Sequence, residues 1–110
     1  MAASDTSYAG WKDPKVEGEH PWKRDTKLAV KVDVVGWEED ADSVAMRDKV
    51  IPSVVQAGYD ANYVEYADWT GPAIITVPHL FYYLADGSIY VQLLGIKTKR
   101  EVIAYMADPV

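Results

Sequence analysis

The sequence predicts an α/β domain built on a mixed β-sheet with helices on its faces. Three observations carry this: a β-branched run followed by helical periodicity, an Asp86-Gly87 turn between two apolar stretches, and a Thr98 to Glu101 capping signature ahead of a last apolar stripe. The resulting order, strand, helix, strand, hairpin, helix, is the arrangement of a mixed sheet with packed helices.

Residues 27–35 are rich in β-branched side chains, and Lys31 and Asp33 alternate with Val30, Val32 and Val34, so this segment reads as the first strand. Gly36 and Trp37 end it. The acidic run Glu38, Glu39, Asp40 and Asp42 then places carboxylates where a helix presents free N–H groups and the positive end of its dipole. Within residues 41–57, Val44, Ala45, Ile51, Val54 and Val55 recur at helical spacing, with Arg47, Asp48 and Lys49 on the other side. Pro52 removes a backbone donor and crowds the preceding turn, which predicts a kink near residue 48. Gly58 is a stop signal.

Residues 62–67 read as a second strand, with Tyr63, Glu65 and Ala67 alternating against Val64 and Tyr66. Residues 68–72 read as loop, and Ala73, Ile74 and Ile75 are too few to assign. Residues 79–84 and 88–94 form a hairpin about Asp86-Gly87. Past Gly95, Thr98 and Glu101 cap a terminal helix whose apolar face is Val102, Ile103 and Met106.

Residues 1–26 carry Gly10, Pro14, Gly18 and Pro21 among charged side chains and show no sustained apolar period, so they read as an irregular arm ahead of a domain spanning residues 27–110. Its aromatics, Tyr8, Trp11 and Trp22, need a surface to dock on, either the domain's own or that of a partner protein. The N-terminus lacks the charged start and apolar core of a secretory signal, and no apolar run reaches the length of a membrane span. A soluble, intracellular protein without membrane insertion is therefore expected. With 17 acids against 11 Lys and Arg, the net charge of −6 disfavours nucleic acid.

The chain has no cysteine, which excludes disulfide staples, thiolate metal sites and cysteine nucleophiles. His20 and His79 have no second ligand at helical spacing, so no metal motif is present and no cofactor is implied.

One short motif sharpens the fold class. Thr76-Val77-Pro78 stands immediately before the first hairpin strand, with Asp86-Gly87 at the turn and Gly95 leading toward the last helix. Here the chain resembles the thioredoxin and glutaredoxin superfamily over about residues 27–108. The resemblance implies a thioredoxin-like mixed sheet, a cis Val77-Pro78 pair, and Trp37 in the place of the tryptophan ahead of the redox motif. The redox cysteines themselves are missing: Glu38, Glu39, Asp40 and Ala41 stand there instead. A carboxylate is stabilised at a helix start as a thiolate is, but cannot exchange disulfides.

The resemblance therefore implies a redox-inactive module that binds protein partners, as a subunit or accessory protein of a larger assembly. It would do so through the N-terminal arm, through a groove lined by Trp37, Glu38, Thr76, Val77, Pro78 and His79, or through both. Two other readings stay open. Thr76-Val77-Pro78 also looks like the triplet with which glutaredoxins hold glutathione, and Glu38, Glu39 or Asp40 near His79 are the residue types of an acid–base enzyme.

Overall fold

The computed structural model describes residues 27–109. Four strands form one sheet in the order β2-β1-β3-β4: β1 Lys31–Gly36, β2 Ala61–Glu65, β3 His79–Tyr83 and β4 Ile89–Leu94. Strand β1 is central, parallel to β2 with Val34 beside Tyr63, and antiparallel to β3 with Val34 beside Leu80. Strands β3 and β4 form the expected antiparallel hairpin, with Leu80 beside Leu93. Asp86 organises its turn by accepting from both the N–H and the hydroxyl of Ser88.

The first strand begins later than its β-branched run suggests. Ala29 leaves the ladder and bridges to the C-terminal segment, donating its N–H to the Tyr105 carbonyl at 3.0 Å and accepting from the Ala107 N–H at 2.8 Å. Residue alternation marks extended backbone but not the partner it takes. The second strand is likewise shorter than expected, because Tyr66 and Ala67 enter a 3-10 turn, Tyr66–Asp68, closed by the Trp69 N–H on the Tyr66 carbonyl.

The crossover from β1 to β2 is one helical run in three parts: α1 Ala41–Ala45, a π-helical turn Met46–Val50, and α2 Ile51–Gln56. Asp40 caps it, accepting from the N–H of Ser43 at 2.9 Å and from its hydroxyl at 2.8 Å. The disturbance expected near residue 48 takes the form of the wide turn. Pro52 cannot donate and its ring would meet the carbonyl four residues back, so the register slips and Ile51 bonds the Met46 carbonyl. Helix α3, Lys99–Ile103, starts at the predicted capping box: Thr98 Oγ1 accepts from the Glu101 N–H and Glu101 Oε1 from the Thr98 N–H. Met106 falls beyond this helix, in the bridge to Ala29, yet remains buried.

One face of the sheet presents Val32, Val34, Leu80, Tyr82 and Leu93 to Met46, Ile51 and Val54 of the crossover and to Val102 and Met106, in a single apolar core. Tyr82 reaches across it, donating its hydroxyl to the Val102 carbonyl at 2.6 Å. Both helical runs thus pack on the same face, where helices on both faces were expected. The other face, carrying Val35, His79 and Phe81, meets the connection over residues 66–78, which Gly71, Pro72 and Pro78 keep from forming a helix. Among the described residues, no helix is long and apolar enough to cross a membrane.

Gly36 fixes how closely the crossover approaches the sheet. A Cβ at this buried position would lie 2.7 Å from the Ser43 Cβ and 2.6 Å from the Tyr63 hydroxyl oxygen. The Ser43 contact is rigid helix rather than a flexible tip, so the space cannot be made by rotating a side chain. Gly36→Ala should therefore cost about 1 to 3 kcal/mol in urea unfolding. An unchanged midpoint and slope would show that the helix start moves freely.

Candidate functional site

The register brings three chain segments to one end of the sheet. Val35 pairs with His79 and Gly36 with Glu65, so the turn after β1, the turn after β2 and the segment before β3 emerge side by side. Between them lies an open groove of about 460 Å³ lined by Trp37, Tyr66, Ile74, Ile75, Thr76 and Val77. Its apolar side chains face solvent: Trp37 is 48%, Tyr66 56% and Ile75 77% exposed. Such a cluster of uncovered aromatic and branched residues is the composition of a contact surface.

The wall formed by residues 74–77 is held from the sheet side by a stack of three rings. Trp69 packs on Phe81 with centroids 4.9 Å apart, and Phe81 packs on His79 at 4.2 Å and nearly parallel. The indole donates its Nε1–H to the Pro72 carbonyl at 2.7 Å, and Gly71 leaves room for the ring, since a Cβ there would fall 2.3 Å from it. His79 completes the support. Its Nδ1 accepts the Ile75 N–H at 3.3 Å while its Nε2 pairs with Gln92 Oε1 at 2.8 Å. An acceptor role at Nδ1 and a carbonyl partner at Nε2 require the neutral ring with its hydrogen on Nε2. Burial favours the same state, holding the imidazole below its ordinary value against the weaker opposing pull of Gln92.

The Val77-Pro78 peptide is cis, and the Pro78 carbonyl accepts the Gly95 N–H at 2.8 Å, tying the end of this wall to the hairpin. Among the described residues, neither Thr76 nor Val77 makes a backbone hydrogen bond.

The opposite wall depends on carboxylates used as structural acceptors. Glu65 takes the Glu38 N–H on Oε2 at 2.8 Å and the Tyr63 hydroxyl on Oε1 at 3.2 Å, which binds the turn carrying Trp37 to strand β2. Burial, followed by this carboxylate, pushes the Tyr63 phenol up to about 12.

Of the residues expected at the site, Trp37, Thr76 and Val77 line the groove together. Pro78 and His79 are buried behind it rather than exposed along it, because β3 starts there and its outward-facing ring is covered by Phe81. Glu38 is exposed beside Trp37 without forming the wall. Tyr66, Ile74 and Ile75 were missed: the first was absorbed into strand alternation, and the isoleucines belonged to a triplet too short to assign. Their signal was the adjacency of two isoleucines to Thr76-Val77-Pro78. Tyr8, Trp11 and Trp22 lie outside the described residues.

An acid–base pairing of Asp40 with His79 does not suit this geometry. Asp40 is occupied at the helix cap, and both ring nitrogens of His79 are engaged within the fold. Among the described residues, no group of three His, Asp or Glu side chains could hold a metal ion.

Because His79 binds a proton less readily in the folded chain, its stabilising contribution is complete above its ordinary value of 6.5 and is lost as pH falls below it. Protonation would also set two donors, Nδ1–H and the Ile75 N–H, against each other. The unfolding free energy should accordingly fall between about pH 7 and about pH 5, and this slope should be smaller in His79→Gln. Asp33, whose carboxyl is raised mainly by burial against the pull of Lys31, acts with the opposite sign from about 3.8 upward, so subtracting the His79→Gln profile isolates the imidazole. Equal slopes in the two proteins would remove His79 as the titrating group.

No protein-family model, no curated protein and no solved structure matches this chain.

Proposed function

We propose that the chain is a redox-inactive, thioredoxin-like interaction module that binds an extended segment of a protein partner in the groove between Trp37 and Val77. The observation that carries this reading is the pairing of exposed apolar walls with the backbone of Thr76 and Val77, which has no backbone partner among the described residues. An extended peptide needs both: backbone groups supply hydrogen bonds, and pockets beside them receive alternate side chains.

The strand order β2-β1-β3-β4, the helical crossover between parallel strands and the cis Val77-Pro78 ahead of β3 support the thioredoxin-like assignment. The cysteine-free sequence excludes thiol–disulfide exchange by this chain's own side chains. The arm with Tyr8, Trp11 and Trp22 provides a second contact in the same reading.

Selection from a displayed peptide library, followed by NMR titration of the labelled full chain, tests the site. Enriched peptides should bind in the micromolar range and shift the amides of Trp37, Tyr66 and residues 74–77. Ile75→Asp, at an exposed position, should weaken them about tenfold or more while leaving the unfolding midpoint near the wild-type value. Absence of enrichment, or shifts confined to another surface, would defeat the proposal.

A further inference from the structure

The groove has one-sided electrostatics. Glu38 follows Trp37 and Glu65 precedes Tyr66, so each of its two aromatics has a neighbouring carboxylate, and the Glu38 backbone N–H donates to Glu65 Oε2 at 2.8 Å, which joins the two turns. Glu39 and Asp68 add further exposed carboxylates on the same two turns.

Among the described residues, no Lys or Arg lies on these two turns. The sequence has no Lys or Arg from Val32 to Met46 or from Val50 to Ile96, the stretches that supply every lining residue. Of the intervening Arg47 and Lys49, Arg47 pairs with Asp48 at 2.7 Å and also acts electrostatically on Glu65, so the charge available to a ligand is that of Glu38 and Glu39. Among the described residues, neither Glu38 nor Glu39 has an ion-pair partner. An apolar groove flanked by exposed carboxylates such as Glu38 and Glu39 attracts apolar segments bearing positive charge and repels acidic ones.

We infer that the segment bound in this groove is a basic one from a separate protein, in which an aromatic or branched side chain is flanked by Lys or Arg. The apolar side chain enters between Trp37, Tyr66 and Ile75, the peptide backbone pairs with Thr76 and Val77, and the flanking cations face Glu38 and Glu39. This rests on the reading of the groove as a peptide site and adds the chemical class of its ligand.

Three labelled hexapeptides with the same apolar centre, flanked by Lys, Gln or Glu, are titrated into the full chain by fluorescence anisotropy, with amide shifts used to locate each. The Lys peptide should bind about tenfold more tightly than the Glu peptide. That preference should shrink to about twofold in the Glu38→Gln, Glu39→Gln double variant, and likewise in about 0.5 M salt, where screening shortens to about 4 Å. Equal affinity of all three peptides at the groove would overturn the charge selection while leaving the peptide site intact. Failure of all three to bind would remove the site and the inference together. Shifts at Trp37, Tyr66 and Ile75 on Trp11→Ala without peptide would make the chain's own arm the occupant, and overturn a separate partner.

Discussion

Strand β3 is buried on both faces: Leu80 and Tyr82 point into the helical core, while His79 and Phe81 point the other way and are equally inaccessible. A strand so placed needs two covers. The helices supply one by packing Met46, Ile51, Val54, Val102 and Met106 onto the first face. The second face depends on the ring of Trp69 laid over Phe81, and through Phe81 on His79. The connection over residues 66–78 thus cannot wander as a surface loop would; it is anchored by stacking and by the bond from Ile75 to the imidazole.

That anchoring explains how an irregular segment comes to present a defined surface. Loops usually pair their backbone with water and hold their apolar residues singly. Here the polar support lies on the sheet side, in His79 and the Gly95 bond to Pro78, so Ile74, Ile75 and Val77 are left facing outward with Trp37 and Tyr66. The same logic governs the turn after β1. Its carboxylate acceptors serve backbone N–H groups, Asp40 at the helix cap and Glu65 at Glu38, and they hold Trp37 at the groove. Asp40, Glu65 and His79 are thus engaged in holding the segments that line the groove.

Much of the frame was legible because it follows from short-range chemistry. The hairpin about Asp86-Gly87, the capping box of Thr98 and Glu101, and the helix start at Asp40 each need only neighbours within a few residues. Pro52 announced a disturbance near residue 48 for the same reason, although its form as a π-helical turn depends on how the crossover fits the sheet. The site was legible in part. Trp37, Thr76 and Val77 could be placed through the motif before β3, whereas Tyr66 and the two isoleucines gave no periodic signal.

The sequence by itself determined the element types, the absence of thiol chemistry, and an acidic chain without Lys or Arg across the segments that form the groove. Those are properties of composition and of contacts between near neighbours. Only the tertiary structure decided that both helical runs share one face, that Ala29 leaves β1 for the C-terminal segment, and that His79 is a buried support rather than an exposed ligand group. Each of these depends on which distant segments meet, and alternation along a strand is equally compatible with either face being covered and with any partner being taken.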